Sequence, residues 1–129
     1  MISKDIEYIF ENKPINRTIT KPKVEDKLTL LDNLKKEIQN IDSCELKSHA
    51  KNFVFNDGNH ESKVMIVGEG PGEKEDELGK PFVGDAGILL NKMLKAININ
   101  RDKIYITNVV NFRPPNNRKP EVNEITRYS

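Results

Sequence analysis

Residues 63 to 118 read KVMIVGEGPGEKEDELGKPFVGDAGILLNKMLKAININRDKIYITNVVNFRPPNNR. Residues 64–67 form a short apolar run of the kind found in buried parallel strands, and the run ends abruptly in the glycine-rich residues 68–72. A second apolar run, residues 104–110, contains Asn108 near its end. In open α/β sheets, ligands bind at the carboxyl ends of parallel strands. This order of segments therefore predicts two parallel strands that deliver polar residues to one edge of a sheet.

Two other segments show the spacing of apolar residues, three or four apart, that marks one face of an amphipathic helix. The first is residues 25–40, and its apolar positions are Leu28, Leu31, Leu34 and Ile38. The second is residues 85–97, with Asp85 as its predicted N-cap. Its apolar positions are Ala86, Leu89, Leu90, Met93, Leu94 and Ile97. Each apolar face predicts a helix that packs against the sheet.

The remaining segments are polar and rich in turn-forming residues. Residues 53–55 are interpreted as a short extended piece that leads into a turn at residues 56–59. Residues 73–79 are interpreted as an acidic surface stretch, and residues 81–84 as a constrained loop. Residues 1–24 carry many charges and little periodicity, so they are interpreted as a flexible N-terminal segment before one domain.

Composition limits the class of protein. The chain has 129 residues, 21 Lys and Arg against 20 Asp and Glu, and a net charge of +1. A protein without a strong overall field must bind nucleic acid through local basic patches. A single cysteine excludes an internal disulfide and favours a reducing cytoplasm. No stretch approaches the ~20 apolar residues of a membrane span, so we expect a cytoplasmic protein that does not enter membranes.

Four sequence blocks, GEGPG, GKPFVG, DAGILLNKML and YITNVVNFRPPNNRKP, occur in this order between residues 68 and 120. Their order and spacing resemble the family 4 uracil-DNA glycosylases, and the resemblance extends over roughly residues 28–126. It implies a three-layer α/β/α fold with a short parallel sheet. Domain 25–129 would be truncated, because the family continues into further strands and a late histidine motif.

The resemblance also implies roles for residues near the two strand ends. The loop of Gly68, Glu69, Gly70, Pro71 and Gly72 would bind substrate, and Glu69 would activate the attacking water or stabilise the positive charge that develops on the sugar. Glu69 and Asn108 are the residues assigned to catalysis. Without the surrounding blocks, a solvated loop carboxylate is the favoured interpretation of Glu69, and with them the catalytic role is preferred.

Two further residues are assigned to recognition of the base. The rigid loop at residues 81–84 presents Phe82, which would stack on a base flipped out of the duplex. The amide of Asn108 carries a donor and an acceptor that match uracil O4 and N3-H, whereas cytosine presents the opposite pattern. A phenylalanine that fills the core and an asparagine that forms a turn remain the alternatives at these positions.

Three cations, Arg113, Arg118 and Lys119, flank a pair of prolines after the second strand. They are candidate contacts to DNA phosphates, which would fix the register of the protein without reading the base sequence. A solvated basic turn is the alternative interpretation for each of them.

Many members of the resembled family bind a four-iron cluster through four cysteines. This sequence contains only Cys44, and Phe112 stands directly before Arg113, where those members have a cysteine. One thiolate cannot hold such a cluster, so we expect neither an iron-sulfur cofactor nor a metal site.

The implied function is hydrolysis of the N-glycosidic bond of uracil in DNA, with uracil-containing DNA as the partner. Two other functions stay open. The chain could be an inactive remnant or one half of a split protein, which leaves room for a separately encoded C-terminal half. It could also be a nucleotide-binding module, although the acidic run after the glycine loop would repel a phosphate.

Overall fold

A computed structural model describes residues 26–42 and 44–129. The predicted N-terminal segment, residues 1–24, lies outside the described residues. The helices are α1 Lys27–Gln39, α2 Glu45–His49, α3 Glu73–Leu78, α4 Asp85–Ala96 and α5 Val122–Tyr128. The strands are β1 Asn56–Gly58, β2 Met65–Gly68 and β3 Tyr105–Asn108. Two short 3-10 turns cover Arg101–Lys103 and Pro115–Asn117. None of the helices so described is long and apolar enough to cross a membrane.

The three strands form one sheet in the order β1-β3-β2. Strands β2 and β3 are parallel, as the two apolar runs predict, and Gly68 lies opposite Asn108 at their carboxyl ends. The backbone pairing continues past the strands, because Val109 donates to the carbonyl of Gly68 and Val110 donates to that of Glu69. The glycine loop and the end of β3 therefore leave the sheet side by side.

Strand β1 occupies the place where a turn was predicted, at residues 56–59, and that prediction is wrong. Asn56–Gly58 pairs antiparallel with β3, so the sheet is mixed rather than purely parallel. Asn56, Asp57 and Gly58 have low strand propensity, but β3 has a second edge whose N-H and C=O groups need partners. Pairing with that distant strand overrides the local preference of the sequence for a turn.

Helices lie on both faces of the sheet, in the predicted three layers, but α1 has no buried residue and so is not packed against the sheet as its apolar face predicts. On one face, Leu94 of α4 packs with Ile104 and Ile106, and Ile66 lies against the same cluster. On the other face, α1 lies across Val67 and its neighbours, separated from them by a largely apolar cavity of about 730 Å³. Alternate residues of a strand point to opposite faces, which explains why Ile66 and Val67 face different helices.

Strand β2 is less buried than its apolar run predicts. Met65 is 57% exposed and Val67 is 53% exposed. Among the described residues β2 pairs only with β3, and the cavity below α1 leaves its outer face open. Composition cannot distinguish a buried strand from an edge strand, because both contain the same apolar residues. The same applies to α4, where Leu89 and Met93 of the predicted stripe are exposed.

The acidic residues 73–79 are not a simple surface stretch, and this interpretation is also corrected. Helix α3 lies here, and Asp76 is only 1% exposed. One carboxylate oxygen of Asp76 accepts hydrogen bonds from the backbone N-H groups of Lys51 and Asn52, at 2.9 and 3.0 Å. A buried carboxylate is stable when backbone donors satisfy it in this way. Asp76 therefore fixes the polar segment before β1.

The start of α4 also differs from the prediction. Gly84, not Asp85, is the N-cap. Asp85 is the first residue of the helix, and its side chain is exposed. No side chain caps the first turn of α4, but the residues just before it are bound by another helix. Glu75 of α3 accepts hydrogen bonds from the backbone N-H groups of Val83 and Gly84, at 2.9 and 2.8 Å. This contact holds the constrained loop of residues 81–84 against α3.

Candidate functional site

Gly68 brings three predicted site elements together. A Cβ atom added to this glycine would lie 2.3 Å from Oδ1 of Asn108 and 2.7 Å from Cε2 of Phe82. Such separations are far shorter than a normal contact between heavy atoms. The amide of Asn108 and the ring of Phe82 therefore occupy the space that a side chain at position 68 would need.

Asn108 is 7% exposed, and its side-chain amide has no hydrogen-bond partner among the residues that the structure describes. Its neighbours in the sequence behave differently. The hydroxyl of Thr107 donates to the carbonyl of Phe55 at 2.7 Å, and the amide of Asn111 donates to the carbonyl of Val54 at 3.1 Å. In the described part of the chain, no buried side-chain N or O atom lacks a hydrogen-bond partner. The unpaired amide of Asn108 therefore keeps some contact with solvent, and it can accept a ligand without breaking an existing hydrogen bond.

The Asn108 side chain lies at a cavity of about 310 Å³ that we call the Phe82 recess. Its lining residues are Glu69, Gly70, Gly72, Glu75, Phe82, Gly84, Asp85, Ala86 and Asn108. The ring of Phe82 is half-buried and also packs against the core cluster around Ile106. Both sequence interpretations of Phe82 thus fit its position, because one face of the side chain fills the core while another part lines the recess.

Glu69 is exposed and lines the Phe82 recess together with a second cavity on the other side of the glycine loop. Its backbone carbonyl is held by the N-H group of Val110 at 3.0 Å. The carboxylate itself has no hydrogen bond or ion pair within the described part of the chain. It can therefore reorient above either cavity without breaking a contact.

The second cavity, of about 180 Å³, lies between the glycine loop and the proline-rich loop, and we call it the Pro114 recess. Its lining residues are Glu69, Gly70, Pro71, Gly72, Pro114, Asn117, Arg118, Lys119 and Pro120. This recess brings two of the three predicted cations, Arg118 and Lys119, beside the predicted catalytic loop. The two parallel strands explain the proximity, because both loops start at the same edge of the sheet.

The three predicted cations differ in the hydrogen bonds and ion pairs that they form within the protein. Arg118 forms a bidentate pair with Glu124, with N-O distances of 2.9 and 2.7 Å, and this bond holds the pKa of Glu124 below its ordinary value. Arg113 donates to the side-chain oxygen of Asn117 at 2.7 Å. Lys119 is exposed. Contact of these residues with DNA phosphates stays a prediction, and Lys119 is the residue that needs no rearrangement to make it.

Sequence reasoning missed two residues that shape the Phe82 recess. Glu75 fixes the N-H groups of the Phe82 loop, as described above. Arg101 donates to the carbonyl oxygens of Pro81 and Phe82 and to the carboxylate of Asp57. Local patterns hold no signal for either contact, since these three partners of Arg101 lie 19 to 44 residues away.

The residues around Cys44 do not fit an iron-sulfur cluster. The sequence has one cysteine, and its sulfur accepts a hydrogen bond from the hydroxyl of Tyr128 at 2.8 Å. The ring of Phe112 packs between Phe53 and Tyr128, with centroid distances of 5.2 and 6.1 Å. Within the described ranges, no group of three or more His, Cys, Asp or Glu residues could hold a metal ion. An aromatic cluster therefore occupies this part of the fold.

Together these residues form a site suited to a planar polar heterocycle. The amide of Asn108 offers a donor and an acceptor in a sheltered position, and the ring of Phe82 offers an aromatic surface beside it. The free carboxylate of Glu69 lies at the Phe82 recess, and Arg118 and Lys119 line the neighbouring Pro114 recess. Such a set can bind a base, act on a water molecule and contact a phosphate backbone.

Comparisons with known proteins match a large part of this sequence. The sequence profile of the "Uracil DNA glycosylase superfamily" matches residues 55–128. A type-4 uracil-DNA glycosylase of Sulfurisphaera tokodaii is 48% identical over 100 residues, which cover 77% of this chain and 46% of that protein. One from Pyrobaculum aerophilum is 48% identical over 95 residues, which cover 74% of this chain and 48% of that protein.

A third relative, the type-4 uracil-DNA glycosylase of Thermotoga maritima, is 43% identical over 95 residues, which cover 74% of this chain and 50% of that protein. The chain thus spans about half the length of the relatives it matches. The profile match includes β1, β2 and β3, the glycine loop, the Phe82 loop and α4, and it extends into α5. By this match, the chain belongs to the uracil DNA glycosylase superfamily.

Proposed function

We propose that this chain acts in the removal of uracil from DNA by hydrolysis of the N-glycosidic bond, and that it supplies the base-binding part of the site. The observation that carries the proposal is the Asn108 amide, which belongs to a residue that is only 7% exposed, lines the Phe82 recess and has no partner among the described residues. The relatives named type-4 uracil-DNA glycosylase support the same assignment.

Recognition of the base follows from the chemistry of Asn108. The amide N-H group would donate to uracil O4 while the amide oxygen accepts from N3-H, and cytosine presents the reverse pattern to the same group. Phe82 would stack on the flipped base, which adds affinity without selecting the base. Thymine is isosteric with uracil at this edge except for its 5-methyl group, so the amide alone does not exclude it.

Hydrolysis requires a water molecule to add at C1′ of the sugar while the bond from C1′ to the base nitrogen breaks. The base leaves as an anion, and the sugar carries positive charge in the transition state. The Glu69 carboxylate at the mouth of the Phe82 recess would accept the proton of the attacking water and stabilise that charge. The Asn108 amide would at the same time donate to O4, where negative charge of the departing base accumulates.

Binding to DNA would rely on local charge, since the net charge is only +1. Among the three predicted cations, Lys119 is the exposed one, and it lines the Pro114 recess beside the glycine loop. Arg113 would join it after release of Asn117. Both would contact phosphates and so set the position of the strand without reading its sequence.

A nucleotide-binding module is less well supported. Phosphate binding at a glycine loop depends on free N-H groups at the start of the following helix. Here that helix, α3, carries Glu73, Glu75 and Asp76 in its first turn. These carboxylates repel a phosphate, and no observation favours this second function.

The experiment is single-turnover excision on a single-stranded oligonucleotide with one uracil, with alkaline cleavage of the abasic product as the readout. We expect Glu69→Gln to lower the rate by roughly 10²-fold or more, the scale of a lost general base, and to leave oligonucleotide binding nearly unchanged. Glu73→Gln makes the same charge change at an exposed neighbour and should keep the rate. A normal rate for Glu69→Gln would remove this residue from the mechanism.

Asn108→Asp places an acceptor where uracil O4 needs a donor, so we expect weaker binding and slower excision of uracil. The control is Asn33→Asp on the exposed face of α1. If the wild-type chain binds uracil-containing oligonucleotide no better than the cytosine-containing one, the proposed recognition is refuted. Selective binding of uracil without any excision would refute the hydrolytic role and favour an inactive remnant.

A further inference from the structure

Phe82 has an unusual backbone conformation. Its φ angle is 52°, in the left-handed region that bulky residues rarely adopt and that costs about 1–3 kcal/mol. A residue stays in this region only when its surroundings hold it there. The contacts that hold Phe82 therefore decide where its ring lies relative to Gly68 and Asn108.

Arg101 supplies contacts to the carbonyl side of this loop. Its guanidinium donates to the carbonyl oxygen of Phe82 at 2.7 Å and also to that of Pro81. The same group pairs with the carboxylate of Asp57 at 3.1 Å and reaches the side-chain oxygen of Asn91 at 3.2 Å. The Arg101 side chain is only 20% exposed, so water competes weakly for the groups that form these bonds.

The rest of the loop is fixed from the opposite side. Glu75 binds the N-H groups of Val83 and Gly84. At Gly87 of α4, an added Cβ atom would lie 2.0 Å from the carbonyl oxygen of Phe82, so the helix accepts the Phe82 peptide only because this residue is glycine. The carbonyl groups of the loop are thus bound by a cation and its N-H groups by a carboxylate.

We propose that Arg101, oriented by Asp57, is a positioning residue that fixes the Phe82 ring at the recess, so that the ring can stack on the base. The proposal rests on the proposed function for the identity of that ligand. Asp57 lies on β1 and Arg101 begins the 3-10 turn that leads into β3, so the pairing of these strands sets the position of the guanidinium. A lysine could not replace it, because a point charge cannot bind two carbonyls and a carboxylate in one plane.

The first test needs no DNA. A fluorinated phenylalanine is incorporated at position 82, and its ¹⁹F NMR signal is compared between the wild-type chain, Arg101→Met, Arg101→Lys and Lys103→Met. Lys103 is an exposed cation in the same 3-10 turn. We expect a shifted or broadened signal for both Arg101 variants and an unchanged signal for Lys103→Met. An unchanged signal in Arg101→Lys, the variant that keeps the charge and the fold, would overturn the proposal.

The second test is a double-mutant cycle on affinity for a uracil-containing single-stranded oligonucleotide. Stacking on one aromatic ring contributes about 1–3 kcal/mol, so Phe82→Ala should weaken binding by about 5- to 150-fold. Arg101→Lys should weaken it by no more than that, and in the Phe82→Ala background it should change the dissociation constant less than about twofold. Fully additive losses would show that Arg101 acts independently of Phe82 and would overturn the proposal.

The two tests separate this proposal from the proposed function. A wild-type chain that does not discriminate uracil would refute the proposed function, while the fluorine signal would still decide whether Arg101 positions Phe82. A chain that discriminates uracil and shows the same fluorine signal in every variant would refute the positioning role alone.

Discussion

Replacement of Gly68 by alanine tests the central contact of the site. The added methyl group would lie 2.3 Å from Oδ1 of Asn108 and 2.7 to 2.8 Å from the edge of the Phe82 ring. Normal carbon contacts are about 3.5–4 Å, so both side chains must move by roughly 1 Å. The Asn108 amide and the Phe82 ring would then no longer hold the arrangement to which we assign base recognition.

The magnitude follows from two opposing effects. Overpacking of this kind costs about 1–3 kcal/mol, and loss of glycine's freedom in the unfolded chain returns about 0.4–1 kcal/mol. We expect the free energy of unfolding of Gly68→Ala to fall by about 1–2 kcal/mol. Affinity for a uracil-containing oligonucleotide should fall roughly 5- to 100-fold, because both recognition groups are displaced.

Gly70 is the matched control, two residues further along the same loop. A Cβ atom there would lie 3.4 Å from Pro120 and 3.8 Å from Val110, which are ordinary contacts. Gly70→Ala should therefore be neutral or stabilise the fold by up to about 1 kcal/mol. Urea unfolding followed by circular dichroism and oligonucleotide binding measure both variants. If Gly68→Ala lowers the free energy of unfolding no more than Gly70→Ala does, the proposed contact between Gly68, Asn108 and Phe82 is wrong.

Two further predictions concern stability. Asp76→Ala removes an almost fully buried carboxylate that binds two backbone N-H groups. It should therefore lower the free energy of unfolding by roughly 3 kcal/mol or more. The control, Glu77→Ala at an exposed position of the same helix, should change it by less than about 0.5 kcal/mol. Burial and the hydrogen bond to Cys44 raise the pKa of Tyr128. A pKa that is higher in the folded than in the unfolded state means that the protonated Tyr128 adds to the free energy of unfolding. This addition is fully present below the ordinary tyrosine pKa of about 10 and is lost as the pH rises above it. Tyr128→Phe should flatten the decline of unfolding free energy between about pH 9 and 11, and an equally steep decline in that variant would contradict the assignment.

Local patterns in the sequence determined the main elements and the order of the site blocks. The three-and-four spacing of apolar residues located α1 and α4 to within two residues at each end, and the apolar runs located β2 and β3. These signals are local, because helix and strand periodicities repeat over a few residues. The position of Asn108 and the glycine loop at the same sheet edge followed from the parallel pairing that the sequence predicts.

Tertiary structure alone decided which polar residues support that site. Asp76 and Glu75 look like any acidic surface run in the sequence, yet one is buried and the other binds the Phe82 loop. Arg101 reaches back 20 residues to Pro81, and β1 forms where the sequence favours a turn. The residue type of a hydrogen-bond donor or acceptor does not indicate which distant residue will be its partner. These groups can pair only after the sheet and α4 bring them together. Burial in a low-dielectric environment then strengthens their hydrogen bonds.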